Sequence, residues 1–545
     1  MTLYSIMGSL GSSIVLRYKL KKSERKLKRV IYKPRLLIDI YLLRCWAAKL
    51  QIIFYFCITM IYEELVEQIA QEFHFPLTSK QREAAEKLAR FLVLPRPQAA
   101  FILRGYAGTG KTSLVGALVR VMQKLERPVQ LLAPTGRAAK VFSAHAGTPA
   151  YTIHKAIYRQ QSFNGEGTRF SLGFNKFPYT LFIVDEASML SNQGGMGSIF
   201  GTGLLLDDLL QYVYGAEGCK LLFVGDTAQL PPVGEDESPA LRGDVLRGYG
   251  LDVDEADLTE VVRQSKGSDV LSGATRLREH LSAGMLEMPV IQGSRRGEVR
   301  FLPGDELIEA LVDAYSDYGT GDTIVVTRSN KRANVYNGGI RARIFDREDQ
   351  LARGDLVMAV KNNYFWTEQL LKTLGQNDRL PFDFIANGDT AEVVSIRNVH
   401  EQYSFHFADA TLRFPDYNDY EMDCRVLLDT LTSESPSLTN EEQEHLYQNV
   451  LADYAFLPTK KERMKQLRQD PYYNALQLKY AYAVTCHKAQ GGQWSRVFVD
   501  QGYLPPEMDL TAYLRWLYTA FTRTTSRLYL VNWPESQREE LKEDS

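Results

Sequence analysis

From about Tyr62 onward the chain alternates between two hydrophobic rhythms. Apolar residues in 64–73 and 79–92 recur at helical spacing, which predicts amphipathic helices. Short apolar runs then interleave with amphipathic stretches: Ala100–Leu103, Val129–Ala133, Leu181–Val184, Lys220–Val224, Thr323–Thr327, Arg496–Val499 and Leu528–Val531. Such runs, apolar throughout and separated by helix-length segments, read as strands buried on both faces of parallel α/β sheets. They form an early group and a late group. Between about Arg353 and Tyr473 the texture changes to Asn-Gly and Asp-rich turns, aromatic strands and a charged, helix-like stretch at 439–455. The pattern predicts two α/β lobes with a small β-rich domain inserted into the second. No short-period repeat or low-complexity tract interrupts it.

Composition narrows the class. The chain has 545 residues, a formal net charge of -2 and 45% apolar content. It is therefore neither fibrous nor disordered, and long enough for several cores. Near-neutrality excludes a uniformly basic binder, although a local basic channel remains open. The cysteines Cys45, Cys57, Cys219, Cys424 and Cys486 include no C-x-x-C pair. This spacing argues against a disulfide scaffold and against a structural metal site, and predicts a cytoplasmic protein. The first segment carries a basic run from Arg17 to Arg35 and an apolar run from Ile52 to Tyr62, shorter than the roughly 20 residues needed to cross a bilayer. It reads either as a membrane-surface or nucleic-acid-binding arm or as an extension, residues 1–59, outside the working fold with Met60 as a start.

The chemistry-bearing signal follows the first strand run. Gly105-Tyr106-Ala107-Gly108-Thr109-Gly110-Lys111-Thr112 satisfies G-x-x-x-x-G-K-[ST] at every fixed position. With Gly near 7% of residues, roughly 0.02 chance matches are expected in a chain of this length. The glycines let backbone N–H groups turn inward around phosphate, and the following helix N-terminus favours an anion. Lys111 is expected on the β- and γ-phosphates of ATP, Thr112 on Mg²⁺, with Ser113 completing the loop. Leu181-Phe182-Ile183-Val184-Asp185-Glu186 supplies a carboxylate pair at a strand end. Asp185 would hold Mg²⁺ and Glu186 would position and deprotonate the attacking water.

Further strings occur in a fixed order around this site. Phe75-Pro76-Leu77-Thr78-Ser79-Lys80-Gln81 looks like a Q-motif. Ala133-Pro134-Thr135-Gly136-Arg137-Ala138-Ala139-Lys140 looks like motif Ia, Thr152-Ile153-His154 like Ib and Asp185-Glu186-Ala187-Ser188 like II. Val224-Gly225-Asp226-Thr227-Ala228-Gln229-Leu230-Pro231-Pro232-Val233 resembles motif III, and Leu258-Thr259-Glu260-Val261-Val262-Arg263-Gln264 motif IV. Val484-Thr485-Cys486-His487-Lys488-Ala489-Gln490-Gly491 resembles V, and Tyr518-Thr519-Ala520-Phe521-Thr522-Arg523 resembles VI. Together they resemble the superfamily 1B DNA helicases of the RecD/Dda-like, 5′-to-3′ branch. The resemblance implies an α/β fold of two RecA-like P-loop NTPase lobes, with a β-hairpin insert in the first and an SH3-like β-rich insert in the second. It places lobe 1A at 60–255 with the hairpin at about 158–178, lobe 2A at 256–350 and 475–545, and the insert, 2B, at 351–474.

The resemblance also implies roles. Gln81 would read the adenine, Gln229 would sense the γ-phosphate, and Arg263 and Arg523 would stabilise charge on the transferring phosphoryl group from the second lobe. Thr135, His154, Thr485 and His487 would line a single-stranded DNA track, where hydroxyl, imidazole and backbone donors suit phosphates. Residues 159–172 read as two short strands about Asn164-Gly165, a turn signal; Phe163 or Phe170 could stack on the first base pair of a forked duplex. In isolation each histidine reads as a helix-cap or core residue, and only the motif context turns it toward the strand; the segment with Phe163 and Phe170 reads equally as a surface hairpin with one core phenylalanine. Gly354-Asp355 and Asn387-Gly388-Asp389 look like the SH3-like insert, but the stretches 365–385 and 400–473 are longer than the family pattern. The expected activity is ATP-driven DNA unwinding. An RNA motor of the same superfamily, or a P-loop switch that moves along nothing, are the other readings; Glu186, Arg263 and Arg523 argue against the switch.

Overall fold

In the computed structural model the described residues are 60–160, 170–194, 201–261, 268–285, 287–294, 297–373, 380–382 and 384–540. The expectations for residues 1–59, Phe163, the turn at Asn164-Gly165 and Arg263 lie outside them. The chain divides into Met1–Glu64 and Leu65–Ser545, and the description below concerns the second unit.

The first lobe is a six-stranded sheet. Its strands are β1 (Ala99–Gly105), β2 (Val129–Ala133), β3 (Ala150–Thr152), β6 (Leu181–Val184), β7 (Lys220–Gly225) and β8 (Asp252–Leu258), in the order β3-β2-β6-β7-β1-β8. Every pairing is parallel. The sheet is buried on both faces, with Phe101, Ile102, Phe182, Ile183, Leu222 and Phe223 inaccessible or nearly so. Between β3 and β6 the chain forms a small antiparallel hairpin, β4 (Tyr158–Gln160) with β5 (Phe170–Leu172).

Helix starts follow side-chain caps. The helix Ser79–Val93 begins at a capping box in which Thr78 and Gln81 each satisfy the other's backbone N–H. Thr135 caps Gly136–Ala146, which ends at Gly147 with φ +65°.

The second lobe carries β9 (Ile291–Gly293), β10 (Val299–Leu302) and β11 (Thr323–Thr327). Between β11 and the next lobe strand the chain leaves to build a closed five-stranded barrel: β12 (Leu356–Ala359), β13 (Thr390–Gln402), β14 (Phe405–Phe414), β15 (Tyr420–Leu427) and β16 (Leu476–Tyr480). The chain then returns with β17 (Ala483–Thr485), β18 (Trp494–Asp500), β19 (Thr524–Val531) and β20 (Arg538–Glu540). The main sheet order is β10-β19-β18-β11-β17, again parallel throughout. The barrel core holds Val357, Val393, Ala410, Leu412, Val426 and Leu478.

Two boundaries differ from the sequence expectation. The sheet of lobe 1 includes β8 through Leu258, whereas the sequence placed the division at residue 255. This strand reads Asp252-Val253-Asp254-Glu255-Ala256-Asp257-Leu258 and hides its type behind four carboxylates, which sit at the sheet edge. The barrel runs through Tyr480, past the expected 474, because β16 closes it against β12. The charged stretch at 439–455 becomes part of a pair of helices, Asn440–Asp453 and Lys460–Gln469, each begun by a Thr-x-x-Glu capping box. Their inner faces pack Leu446, Val450 and Leu467 on Phe405 and Phe407 of the barrel. Among the described residues no helix is long and apolar enough to cross a membrane.

Candidate nucleotide site and interlobe seam

Because the first sheet is parallel, the carboxyl ends of its strands share one edge, and in open α/β sheets that edge is where ligands bind. The loops leaving β1, β6 and β7 meet there. After β1 the P-loop turns through Gly108 (φ +78°) and Gly110 (φ +83°), conformations that side chains rarely adopt. The loop is also too tight for side chains: a Cβ on Gly105 would lie 2.9 Å from Thr109 Oγ1, and one on Gly110 would lie 2.7 Å from Gln81 Nε2. Lys111 opens the helix Lys111–Lys124, and its ammonium donates to Gly105 O at 2.5 Å and Tyr106 O at 2.9 Å. Thr112 and Ser113 follow in the first helical turn.

Gln81 lies beneath this loop, 1% exposed. Its Oε1 accepts from Thr78 N at 3.0 Å and its Nε2 donates to Thr109 O at 2.9 Å. In this arrangement its carboxamide ties the helix cap to the P-loop.

At the end of β6, Asp185 accepts from Glu186 N at 2.9 Å, and Glu186 holds φ +51°, a left-handed conformation that stores strain at a site. Burial and then the adjacent Glu186 carboxylate push the Asp185 carboxyl up, opposed by the Glu186 N–H and by the Lys111 ammonium. A crowded carboxylate pair with a threonine hydroxyl on the adjoining helix is hard oxygen chemistry, and it fits Mg²⁺. Two buried polar atoms on the same edge, Ser188 Oγ after β6 and Gln229 Oε1 after β7, lack a hydrogen-bond partner among the described residues. Such orphans suit a polar ligand.

The second lobe presses on this edge. Tyr518 OH accepts from Ala107 N at 2.9 Å and donates to Asp226 Oδ2 at 2.6 Å. Thr519 Oγ1 accepts from Leu230 N at 2.9 Å, and Gln490 Nε2 donates to Leu230 O at 2.7 Å. The Arg278 guanidinium lies 4.4 Å from the centre of the Tyr106 ring, and Arg137 lies 3.9 Å over Trp494. Arg523 is 3% exposed and bonded within its own lobe, to Thr519 O at 3.0 Å and Gly492 O at 3.4 Å.

Residues 76–301 match a family model described as an AAA domain, and residues 480–531 match one described as a UvrD-like helicase C-terminal domain. The chain is 29% identical over 301 residues to the ATP-dependent RecD2 DNA helicase of Deinococcus radiodurans, covering 52% of this chain and 38% of that protein. The first match covers the P-loop sheet and the second covers strands β17 to β19 of the other sheet, so the chain is similar to RecD-type helicases in both lobes. An uncharacterised protein of Methanocaldococcus jannaschii is 24% identical over 79% of this chain and 36% of its own length. The chain therefore spans little more than a third of either relative. Among solved structures, Bacteroides Pif1 bound to ssDNA is 16% identical and covers 84% of this chain and 92% of that one, with a TM-score of 0.41.

Of the expected strand-side residues, Thr135, Thr485 and His487 fall at the seam or beside it, whereas His154 does not. Thr135 Oγ1 accepts from Ala138 N at 3.2 Å, and a Cβ on Gly491 would lie 3.3 Å from that same hydroxyl oxygen, so motifs Ia and V touch. Thr485 ends β17, and His487 in the short helix after it is exposed. Beside it, burial pushes the Lys488 ammonium down to about 8, and Lys488 donates to Asn387 Oδ1 of the barrel segment. His154 lines a separate cavity of 720 Å³ with Tyr151, Lys155, Phe170, Tyr364 and Phe384. Burial pushes its imidazole down to about 4.

Phe170 of the hairpin packs its ring 4.2 Å from Tyr364, which lies 4.5 Å from Phe384. This aromatic column fastens the hairpin root to the segment between β12 and β13.

Sequence reasoning did not single out Tyr518, Asp226 or Arg278 as individual residues. Tyr518 and Asp226 lie inside motif strings, but nothing local marks a hydroxyl that reaches the other lobe. Arg278 reads as an ordinary arginine on an amphipathic helix.

Proposed function

We propose that this chain is an ATP-dependent DNA helicase that travels on single-stranded DNA in the 5′-to-3′ direction and unwinds forked duplex. The observation that carries the reading is the seam: a backbone donor of the P-loop is hydrogen-bonded to a side chain of the opposite lobe. A ligand gripped by one lobe and felt by the other biases closure through its differential contacts with the open and closed states. That is the requirement for converting hydrolysis into stepping.

In this reading Lys111 holds the β- and γ-phosphates, Glu186 orients and deprotonates the attacking water, and Gln229 senses the γ-phosphate. Thr112 and Asp185 hold Mg²⁺, which when bound neutralises phosphate charge. Arg263 answers the developing charge from the second lobe, and Arg523 joins it only by turning from the Thr519 and Gly492 carbonyls that hold it here. The DNA substrate is supported by the RecD2 relative and by the hydroxyl and imidazole groups of Thr135, Thr485 and His487 at the seam, with His154 set apart in its own cavity. Phe170, held by Tyr364, would support the separation wedge from its root, with Phe163 as the stacking residue.

The test is ATPase activity with and without single-stranded DNA, followed by unwinding of duplexes bearing a 5′ or a 3′ tail. Stimulation by DNA and unwinding from the 5′ tail are expected. Absence of stimulation would favour a P-loop switch, and stimulation by RNA alone an RNA motor.

A further inference from the structure

The Tyr518 hydroxyl occupies an unusual place. Its ring is 1% exposed in the second lobe's core, on the helix Leu510–Phe521, yet its oxygen lies across the seam. A phenol has one donor and acceptor capacity besides. The donor goes to Asp226 Oδ2 at 2.6 Å, and the oxygen accepts the P-loop Ala107 N–H at 2.9 Å. The other oxygen of Asp226 accepts from Ala228 N at 3.0 Å, which shapes the turn after β7. That turn continues through Gln229 to Leu230, whose N–H and C=O are held by Thr519 and Gln490 of the second lobe. Neighbouring residues of one helix therefore hold the P-loop and the turn that carries Gln229. Burial, then the Asp226 carboxylate, push the phenol well above its ordinary value, so it remains a donor at any working pH.

We propose that Tyr518 is the positioning residue that couples P-loop occupancy to the Asp226–Leu230 turn and so to lobe closure. The inference rests on the motor reading above and names the group through which the lobes communicate. Both bonds of the hydroxyl run from the second lobe to the first. They exist only while the lobes are apposed and add to the stability of the closed state alone. A phosphate in the loop draws on the same row of backbone donors that Tyr518 engages. Loop occupancy and latch strength are thus linked, and the linkage acts in both directions.

The test replaces Tyr518 by Phe, which keeps the ring and removes the oxygen. In the full chain, the ratio of DNA-stimulated to basal ATP turnover is expected to fall by about ten-fold, within the range typical of coupling between sites. Amide deuterium exchange in a peptide spanning residues 104–110 is expected to accelerate, with that of β11 unchanged. Asp226→Ala removes the acceptor of the same bond. Because both variants break one chain of contacts, the double variant is expected to lose no more than the worse single variant. An unchanged ratio with unchanged exchange in Tyr518→Phe overturns the proposal, as do losses that multiply in the double variant. If the unaltered chain shows no stimulation by DNA, it is the motor reading that fails. The latch then stands or falls on the exchange measurement: acceleration in Tyr518→Phe supports it and unchanged exchange removes it.

Discussion

Replacing Gly108 by Ala isolates the geometry of the P-loop from its charge. Gly108 sits at φ +78°, where a Cβ costs roughly 1–2 kcal/mol by clash with its own backbone. The added carbon would also lie 3.1 Å from Leu271 Cδ2 and 3.2 Å from Val261 Cγ1, inside the comfortable separation of carbon atoms. Leu271 belongs to the helix Asp269–Ala283, whose Arg278 covers Tyr106, so the methyl group acts as a wedge in the seam. These side-chain ends can shift by a few tenths of an ångström, which keeps the combined effect on the closed state at about 2 kcal/mol, or roughly thirty-fold in turnover. Gly250 supplies the control. Its φ is +81°, yet a Cβ there meets nothing within 4 Å. Gly250→Ala is expected to lower unfolding free energy by about 1–2 kcal/mol and to leave the turnover of folded protein intact. Steady-state ATPase measurement and urea unfolding of both variants decide the matter. Turnover of Gly108→Ala within about two-fold of the unaltered chain, or equal turnover losses in both variants, would refute the wedge argument.

Other expectations follow from single sites. Lys111→Ala should abolish hydrolysis while binding of a single-stranded oligonucleotide, followed by anisotropy, largely survives; unchanged turnover would defeat the site assignment. Asp355 is fully buried and accepts from Arg341 Nε at 3.0 Å, Arg347 Nη1 at 2.9 Å, Ala352 N at 2.7 Å and Tyr482 OH at 3.2 Å, at the junction of barrel and second lobe. Asp355→Ala should cost about 3–5 kcal/mol in urea unfolding, because Arg341 is left charged and buried, and a loss below about 1 kcal/mol would contradict that account. His154 has its imidazole pushed down to about 4. The unfolded chain therefore binds the proton more readily, and stability is lost as pH falls from about 6.5 toward about 4, by at most about 3 kcal/mol. His154→Gln should flatten that part of the pH–stability curve, and an identical curve in the variant would rule the histidine out. Phe170→Ala removes the ring packed on Tyr364 and should lower duplex unwinding more than DNA-stimulated ATPase; equal losses would detach the hairpin from strand separation.

The legible part of the fold was the part encoded locally. Strands such as Val129–Ala133, Leu181–Val184 and Thr323–Thr327 have the expected bounds, since a short apolar run flanked by helices has few other ways to bury both faces. The P-loop, with Gly108 and Gly110 at positive φ, follows from a glycine spacing that few other folds require. The strand β8 was missed because its carboxylates answer to partners distant in sequence: Arg104 reaches Glu255 and Asp257, and Arg96 reaches Asp252 and Asp254. Closure of the barrel was hidden for a similar reason, since β12 meets β16 across more than a hundred intervening residues.

The sequence by itself determined the two parallel sheets, the loop that cradles phosphate, the carboxylate pair at the end of β6 and the interruption of the second lobe, because each depends on residues close together in the chain. Tertiary structure alone decided which side chains cross between the lobes. It showed Tyr518 bonded to Ala107 and Asp226, Gln81 fastened beneath the P-loop, Phe170 packed at a tilt against Tyr364, and Arg523 turned to its own lobe. The reason is physical. Hydrophobic periodicity and glycine spacing act over a few residues, whereas a buried hydroxyl or guanidinium must find its partner in whatever the folded chain brings within about 3 Å.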